Sequence, residues 1–320
     1  MPFRLIAGTF HVVGYSPDGD SIRFRPDDTA LIFRLPGGRP SINDAGDVQL
    51  RIEGIDALET HYQLETTGRT VYQPERWADA ATGRLLEFLG IEGVEWRGRQ
   101  VGAAEDEVPG WILSRAKDKY GRPVAFVFAG EPPEPDGASL HVDPDLLRDS
   151  YNHVALAEGL AYPTYYSSLF WDLREEMTRA VTQARDAGRG LWPEDVTNEG
   201  FAVEGLDDLT ETHIILPKLF RRLSSYVGEF GSARGFKQAL EASREPVLSL
   251  PNGQTTHLDT FVEQDEGSSR LRLSARPEDL VFDPMPARPD GVFAAIVAGM
   301  ADPWAASGLR PSGAGRSSSR

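Results

Sequence analysis

Between Val48 and Glu53 apolar and polar side chains alternate strictly: Val48, Leu50 and Ile52 fall on one face, Gln49, Arg51 and Glu53 on the other. A period of two is satisfied by an extended strand with one face buried, and a helix would scatter the same residues around its axis. Further stretches of strand character lie at 5–14, 21–25, 30–35, 94–101 and 124–128. Turn signals separate them, among them Ser16-Pro17-Asp18-Gly19-Asp20 and Pro36-Gly37-Gly38-Arg39-Pro40. The period changes over 74–89, where Trp77, Ala81, Leu85 and Phe88 recur at helical spacing behind Pro74, a residue the first helical turn tolerates. Residues 145–160 and 169–187 read as amphipathic helices, the second ending at Gly188-Arg189-Gly190. Five or so short strands with interposed helices predict an α+β fold, a small closed β-barrel of the OB-fold type that carries helices.

That pattern fills residues 1–199, and the signal weakens beyond them. In 200–286 the spacing predicts helices at 216–227 and 236–243, a hairpin over 246–259 turning at Asn252-Gly253, and a strand at 269–273. This region is expected to be a C-terminal α/β extension of unknown fold, with no catalytic constellation of its own, that could recognise a protein partner or support self-association. Residues 287–320, rich in Ser, Gly and Pro, are expected to be a flexible tail.

Composition removes several function classes. With no cysteine among 320 residues, disulfides, thiolate metal sites and cysteine nucleophiles are excluded. The six histidines are dispersed and no two stand at metal-ligand spacing. No apolar run is long enough to span a membrane, and the start Met1-Pro2-Phe3-Arg4 does not lead into a secretory signal, so a cytoplasmic protein without a membrane partner is expected. The net charge of −16 opposes a broad electrostatic grip on nucleic acid; any such contact must come from a few focused Arg and Lys side chains, or be helped by a bound cation.

Four segments carry residues able to do chemistry. Asp18-Gly19-Asp20-Ser21 stands at the mouth of a strand and offers two carboxylates, the hard donors a divalent cation requires; the same residues also make an ordinary turn. In Arg51-Ile52-Glu53-Gly54-Ile55-Asp56-Ala57-Leu58-Glu59, Asp56 lies where a strand ends. If that strand and the one beginning near Asp20 are antiparallel neighbours, both carboxylates meet at one end of the sheet. Glu59 is then close enough to orient or deprotonate a metal-bound water, and Arg51 could hold a phosphate bidentately or simply pair with a surface Glu. Asp118-Lys119-Tyr120-Gly121-Arg122 is a turn before a strand, with Arg122 able to supply a second guanidinium to a phosphoryl transition state. The aromatics of Gly159-Leu160-Ala161-Tyr162-Pro163-Thr164-Tyr165-Tyr166 either stack on a base or fill the barrel rim.

The succession Asp-Gly-Asp, then Arg with Asp five residues on and Glu three further, then Asp-Lys-Tyr-Gly-Arg resembles the staphylococcal nuclease (thermonuclease, SNase-like) family. Tyr72-Gln73-Pro74-Glu75, Gly159-Leu160-Ala161 and Leu191-Trp192-Pro193-Glu194-Asp195 are similar to that family as well, so the resemblance runs from about residue 8 to 195. It implies a Ca²⁺-dependent nuclease, with Mg²⁺ or Mn²⁺ as alternatives, that hydrolyses DNA or RNA to leave 3′-phosphates. By the same resemblance Asp20 and Asp56 would ligate the ion directly, joined by the backbone carbonyl of Ala57, with Asp18 acting through water. Glu59 would position or deprotonate the attacking water. Arg51 and Arg122 would hold the scissile phosphate, and Lys119, Tyr120 and Tyr165 would line the substrate groove. The chain departs from the family in having Ala57-Leu58 where Thr-Pro is common, and in three expected insertions at 26–47, 102–113 and 130–144, the last two able to narrow the groove. A catalytically silent binding module on the same barrel is the alternative.

Overall fold

The computed structural model describes residues 2–64 and 67–282, which lie within one compact unit. The expected tail at 287–320 and the end of the C-terminal region fall outside the described residues. Strand Phe3–His11 pairs antiparallel with Arg23–Pro26 on one side and with Val108–Lys117 on the other. Val108–Lys117 pairs in turn with Pro123–Ala129, which meets Arg51–Ile52 in parallel, while Val48–Gln49 closes the other end against Arg23–Pro26. The two end strands of this six-strand path are consecutive in the chain, joined through Leu50, so the sheet is nearly closed into a barrel. Both faces of its central strands are buried, with Leu5 and Phe126 on one and Phe10, Phe24 and Ile112 on the other, all fully buried.

Three expectations about elements are corrected. Residues 30–35 are not a strand. Thr29–Arg34 is helix α1, because the Asp28 side chain caps its start by accepting from the Ala30 N–H at 2.9 Å, and Leu31, Ile32 and Leu35 turn inward while Phe33 is 60% exposed. The stretch 102–113, expected as an inserted loop, contains much of the barrel strand Val108–Lys117, whose apolar run Trp111-Ile112-Leu113 is buried between two neighbours. The helix expected over 145–160 is two, α3 (Pro144–Arg148) and α4 (Tyr151–Ala157), because Ser150 caps the second by accepting from the His153 N–H at 3.3 Å.

Helix α2 (Glu75–Leu89) and helix α5 (Trp171–Asp186) match the expected periods. Beyond residue 199 come helix α6 (Pro217–Phe230), helix α7 (Phe236–Ser243) and the hairpin of Pro246–Ser249 with Gln254–His257. Strand Leu280–Phe282 inserts between that hairpin and Tyr165–Tyr166, so one sheet contains strands from both halves of the chain. Among the described residues no helix is long and apolar enough to cross a membrane.

Candidate active site

A cavity of ≈ 1170 Å³ opens where α6 faces one end of the barrel. Nine Lys and Arg side chains line it against six Asp and Glu, a local surplus of positive charge in a chain whose net charge is −16. Positive charge gathered in a low-dielectric recess acts far more strongly on an anion than the same charge spread over a surface.

Asp18, Asp20, Arg51, Glu59, Lys119, Tyr120 and Arg122, all singled out from the sequence, line this one cavity. Asp18 and Asp20 sit on a tight turn in which Asp18 Oδ1 accepts from the Asp20 N–H at 3.3 Å. Gly19 between them is pressed against α2: a Cβ there would lie 2.6 Å from that of Ala81 and 2.7 Å from that of Ala57. Ile52 donates its N–H to the Asp20 carbonyl at 3.0 Å, which draws the strand bearing Arg51 alongside this turn. Asp56, fully buried in strand Ile55–Ala57, follows within the same short segment, its neighbour Ala57 opposite Ala161 of strand Ala161–Pro163. Arg122 closes the turn that begins at Asp118; Asp118 accepts from the Arg122 guanidinium at 2.7 Å and from its backbone N–H at 2.9 Å. Gly121 in that turn has φ +83°, and a Cβ on it would strike the Arg39 carbonyl at 1.9 Å. The first insertion thus props the Arg122 turn from behind.

Tyr165 does not line the cavity. It is fully buried, its hydroxyl paired with Thr178 of α5 at 3.0 Å, and its neighbour Tyr166 faces the cavity instead. Two adjacent residues of a strand point to opposite sides, so only one of the pair can serve. Tyr120 is 64% exposed at the rim, with Lys119 5.0 Å from its ring centre.

Electrostatics separates the acids. Burial raises Asp20 well above the ordinary carboxylate range, and the charges of Asp18 and Asp56 push it further. Asp18 is raised chiefly by burial. Burial brings Glu59 up to about 7, against the pull of Arg221 and with the push of Asp56 and Asp20. Asp56 moves the other way: burial would raise it, but the nearby charges of Arg221 and Arg51 outweigh that and hold it low. A carboxylate titrating near neutrality in a cavity lined by guanidinium groups is able to take a proton at neutral pH.

Arg221 was not anticipated from the sequence. It projects from α6 and grips Asp56 through both nitrogens, Nη2 at 2.8 Å from Oδ2 and Nη1 at 3.1 Å from Oδ1, while Nη1 also donates to Glu59. Its neighbours on the same helix face join it: Arg222 pairs with Glu245, Lys218 donates to the Tyr166 hydroxyl at 3.1 Å, and Ser225 meets the Tyr62 hydroxyl at 3.1 Å. Positions 218, 221, 222 and 225 are spaced i, i+3, i+4 and i+7, one polar stripe of a helix whose other side buries Phe220, Leu223 and Val227. A basic stripe opposite an apolar one was the available signal. Fully buried Gln73 ties the two regions: it accepts from the Glu59 N–H at 3.2 Å and donates to the Ile215 carbonyl at 2.8 Å, just before α6.

The carboxylate oxygens of Asp18, Asp20, Asp56 and Glu59 are the right chemistry for a hard divalent cation. As arranged they do not fit one. Arg221 takes both oxygens of Asp56 and reaches Glu59, and among the described residues no three acidic or histidine groups are placed to hold an ion.

No protein-family model matches the chain, and no curated protein matches it.

Proposed function

We propose that this chain is a phosphodiesterase of the staphylococcal nuclease type, hydrolysing DNA or RNA by direct attack of water on phosphorus. The observation that supports this most is the meeting of Glu59, Arg51 and Arg122 at one cavity beside Asp18 and Asp20, in the order and spacing read from the sequence. In the reaction a water oxygen forms a bond to phosphorus, its proton passes to the Glu59 carboxylate, and one phosphorus–oxygen ester bond breaks. The leaving oxygen takes its proton from solvent. Arg51 and Arg122 offset the charge that builds on the phosphoryl oxygens. Arg221 holds Glu59 towards Asp56 and limits the rise of its pKa, so the base is half ionised near neutral pH. No step is assigned to a metal ion.

One observation favours a second reading, a binding module without turnover: the ion pair with Arg221 engages the base itself. Labelled single-stranded DNA, double-stranded DNA and RNA incubated with Ca²⁺, Mg²⁺, Mn²⁺ or EDTA, beside Glu59→Gln, separate the two. Cleavage by the wild type that Glu59→Gln lacks supports the phosphodiesterase. Binding of these polymers with no cleavage in any arm supports the module.

A further inference from the structure

Two cations of the cavity converge on one phenol. Lys218 of α6, only 8% exposed, donates to the Tyr166 hydroxyl at 3.1 Å, and Arg51 of the barrel donates to the same oxygen at 3.2 Å. Both also lie over the Tyr166 ring, at 5.1 and 5.2 Å from its centre. The carboxylate nearest Lys218 is Glu245 at 3.9 Å, and Glu245 is already held through both oxygens by Arg222. The acids that act on Arg51 are Asp56, Asp20 and Glu53; Asp56 is gripped by Arg221, and Glu53 is shared with Arg115. An ammonium has three N–H donors and a guanidinium five, yet these two spend a donor each on one neutral oxygen.

Buried charge left short of counter-charge is costly unless a partner arrives to complete it. The Tyr166 hydroxyl adds to the case. With its lone pairs taken by Arg51 and Lys218, its own hydrogen is left to donate outward to an acceptor. Three donors facing one recess make a cradle for the oxygens of a phosphate ester, whose anionic oxygens accept charge-assisted hydrogen bonds.

We propose that Lys218, Arg51 and Tyr166 form a phosphate subsite in which Lys218, supplied by the C-terminal region, holds a backbone phosphate next to the one being hydrolysed. The identity of the substrate as a nucleic acid rests on the function proposed above; the binding of a phosphate does not. Arg51 touches both phosphates from between them, and Arg122 belongs to the scissile one alone.

The test compares thymidine 3′,5′-bisphosphate with thymidine 5′-monophosphate, neither of which contains a diester to cleave, titrated calorimetrically into the full chain. The wild type is expected to gain affinity from the added phosphate. Lys218→Met should lose about tenfold of that gain, as expected for one charge-assisted contact, and Lys218→Arg should restore most of it. Tyr166→Phe keeps the ring under both cations and removes the hydroxyl, so it should lose a smaller share; it also serves if Lys218→Met does not fold. A gain that is the same in Lys218→Met or Tyr166→Phe as in the wild type, or no gain in the wild type, overturns the subsite. Cleavage that depends on Glu59 together with an unchanged gain would remove the subsite and leave the hydrolase. A gain that depends on Lys218 without cleavage would do the reverse.

Discussion

The barrel and the C-terminal region build one cavity in different ways. The barrel places Asp18, Asp20 and Glu59 on turns and short connections at the cavity, with Asp56 buried behind them in a three-residue strand, together with Arg51 and Arg122. The C-terminal region adds Lys218, Arg221 and Arg222 along one helix face. Turns fix side chains over a few residues, so a reactive set built on them is written in short spacings. A helix face delivers its side chains across more than 150 residues of sequence to the barrel, and only packing sets where they land. The difference teaches that the second half of this chain is part of the site rather than an appendage to it.

The largest expected effect breaks the comparison outright. Ending the chain at residue 199 removes the Ile215 carbonyl from Gln73, Phe220 from Tyr62, Glu278 from Arg185 and strand Leu280–Phe282 from Tyr165–Tyr166. It also strips Asp56 of its ion-pair partner Arg221. The shortened chain is expected to lose cooperative thermal unfolding, which calorimetry reads directly; a sharp transition near that of the full chain would make the C-terminal region dispensable. Next comes Glu59→Gln, which keeps the shape of the proposed base and removes its capacity to take a proton. A loss of about 10²–10⁴-fold in cleavage rate is expected from gel-resolved time courses. Arg51→Ala and Arg122→Ala should each lower the rate by about 10²–10³-fold, with Arg51→Ala also weakening substrate binding.

The smallest effect concerns stability alone. Glu53 is buried under the cavity, and burial lifts it from 4.5 to about 7 although Arg51 and Arg115 pull it down. The folded state therefore holds the Glu53 proton more tightly than the unfolded chain. Its contribution is fully present at acid pH and is lost as pH rises from the unfolded value of 4.5 through about 7. Glu53→Gln should match the wild type at acid pH and exceed it by about 3 kcal/mol above neutrality in urea unfolding.

The residues of the candidate site were legible because Asp-Gly-Asp, the Arg51–Asp56–Glu59 spacing and the Asp118–Arg122 turn are local. The alternation over 48–53 placed Arg51 on the polar face, where it meets the cavity. Helix α6 was legible as a helix, but what its basic stripe faced was not, since Asp56 and Arg221 are 165 residues apart. The resemblance points to Tyr165, whereas Tyr166 lines the cavity, and a two-residue strand carries too little alternation to tell its faces apart from sequence. The strand over 30–35 failed because apolar content outweighed the Asp28 cap, which decides the helix. The strand Val108–Lys117 was hidden by the acidic and Pro-containing residues that precede and enter it.

The most direct test of the claim that α6 completes the site is the pH dependence of cleavage by the full chain and by Arg221→Gln, each shown folded by circular dichroism. The base must be deprotonated, so the wild-type rate should rise through a midpoint near 7 and level off above it. Removing Arg221 takes away a charge that lowers the Glu59 pKa, so the variant's midpoint should move to higher pH and its rate at neutral pH should fall. An identical profile in the two proteins would contradict the account, because it would leave the Arg221 charge without effect on the titration of Glu59.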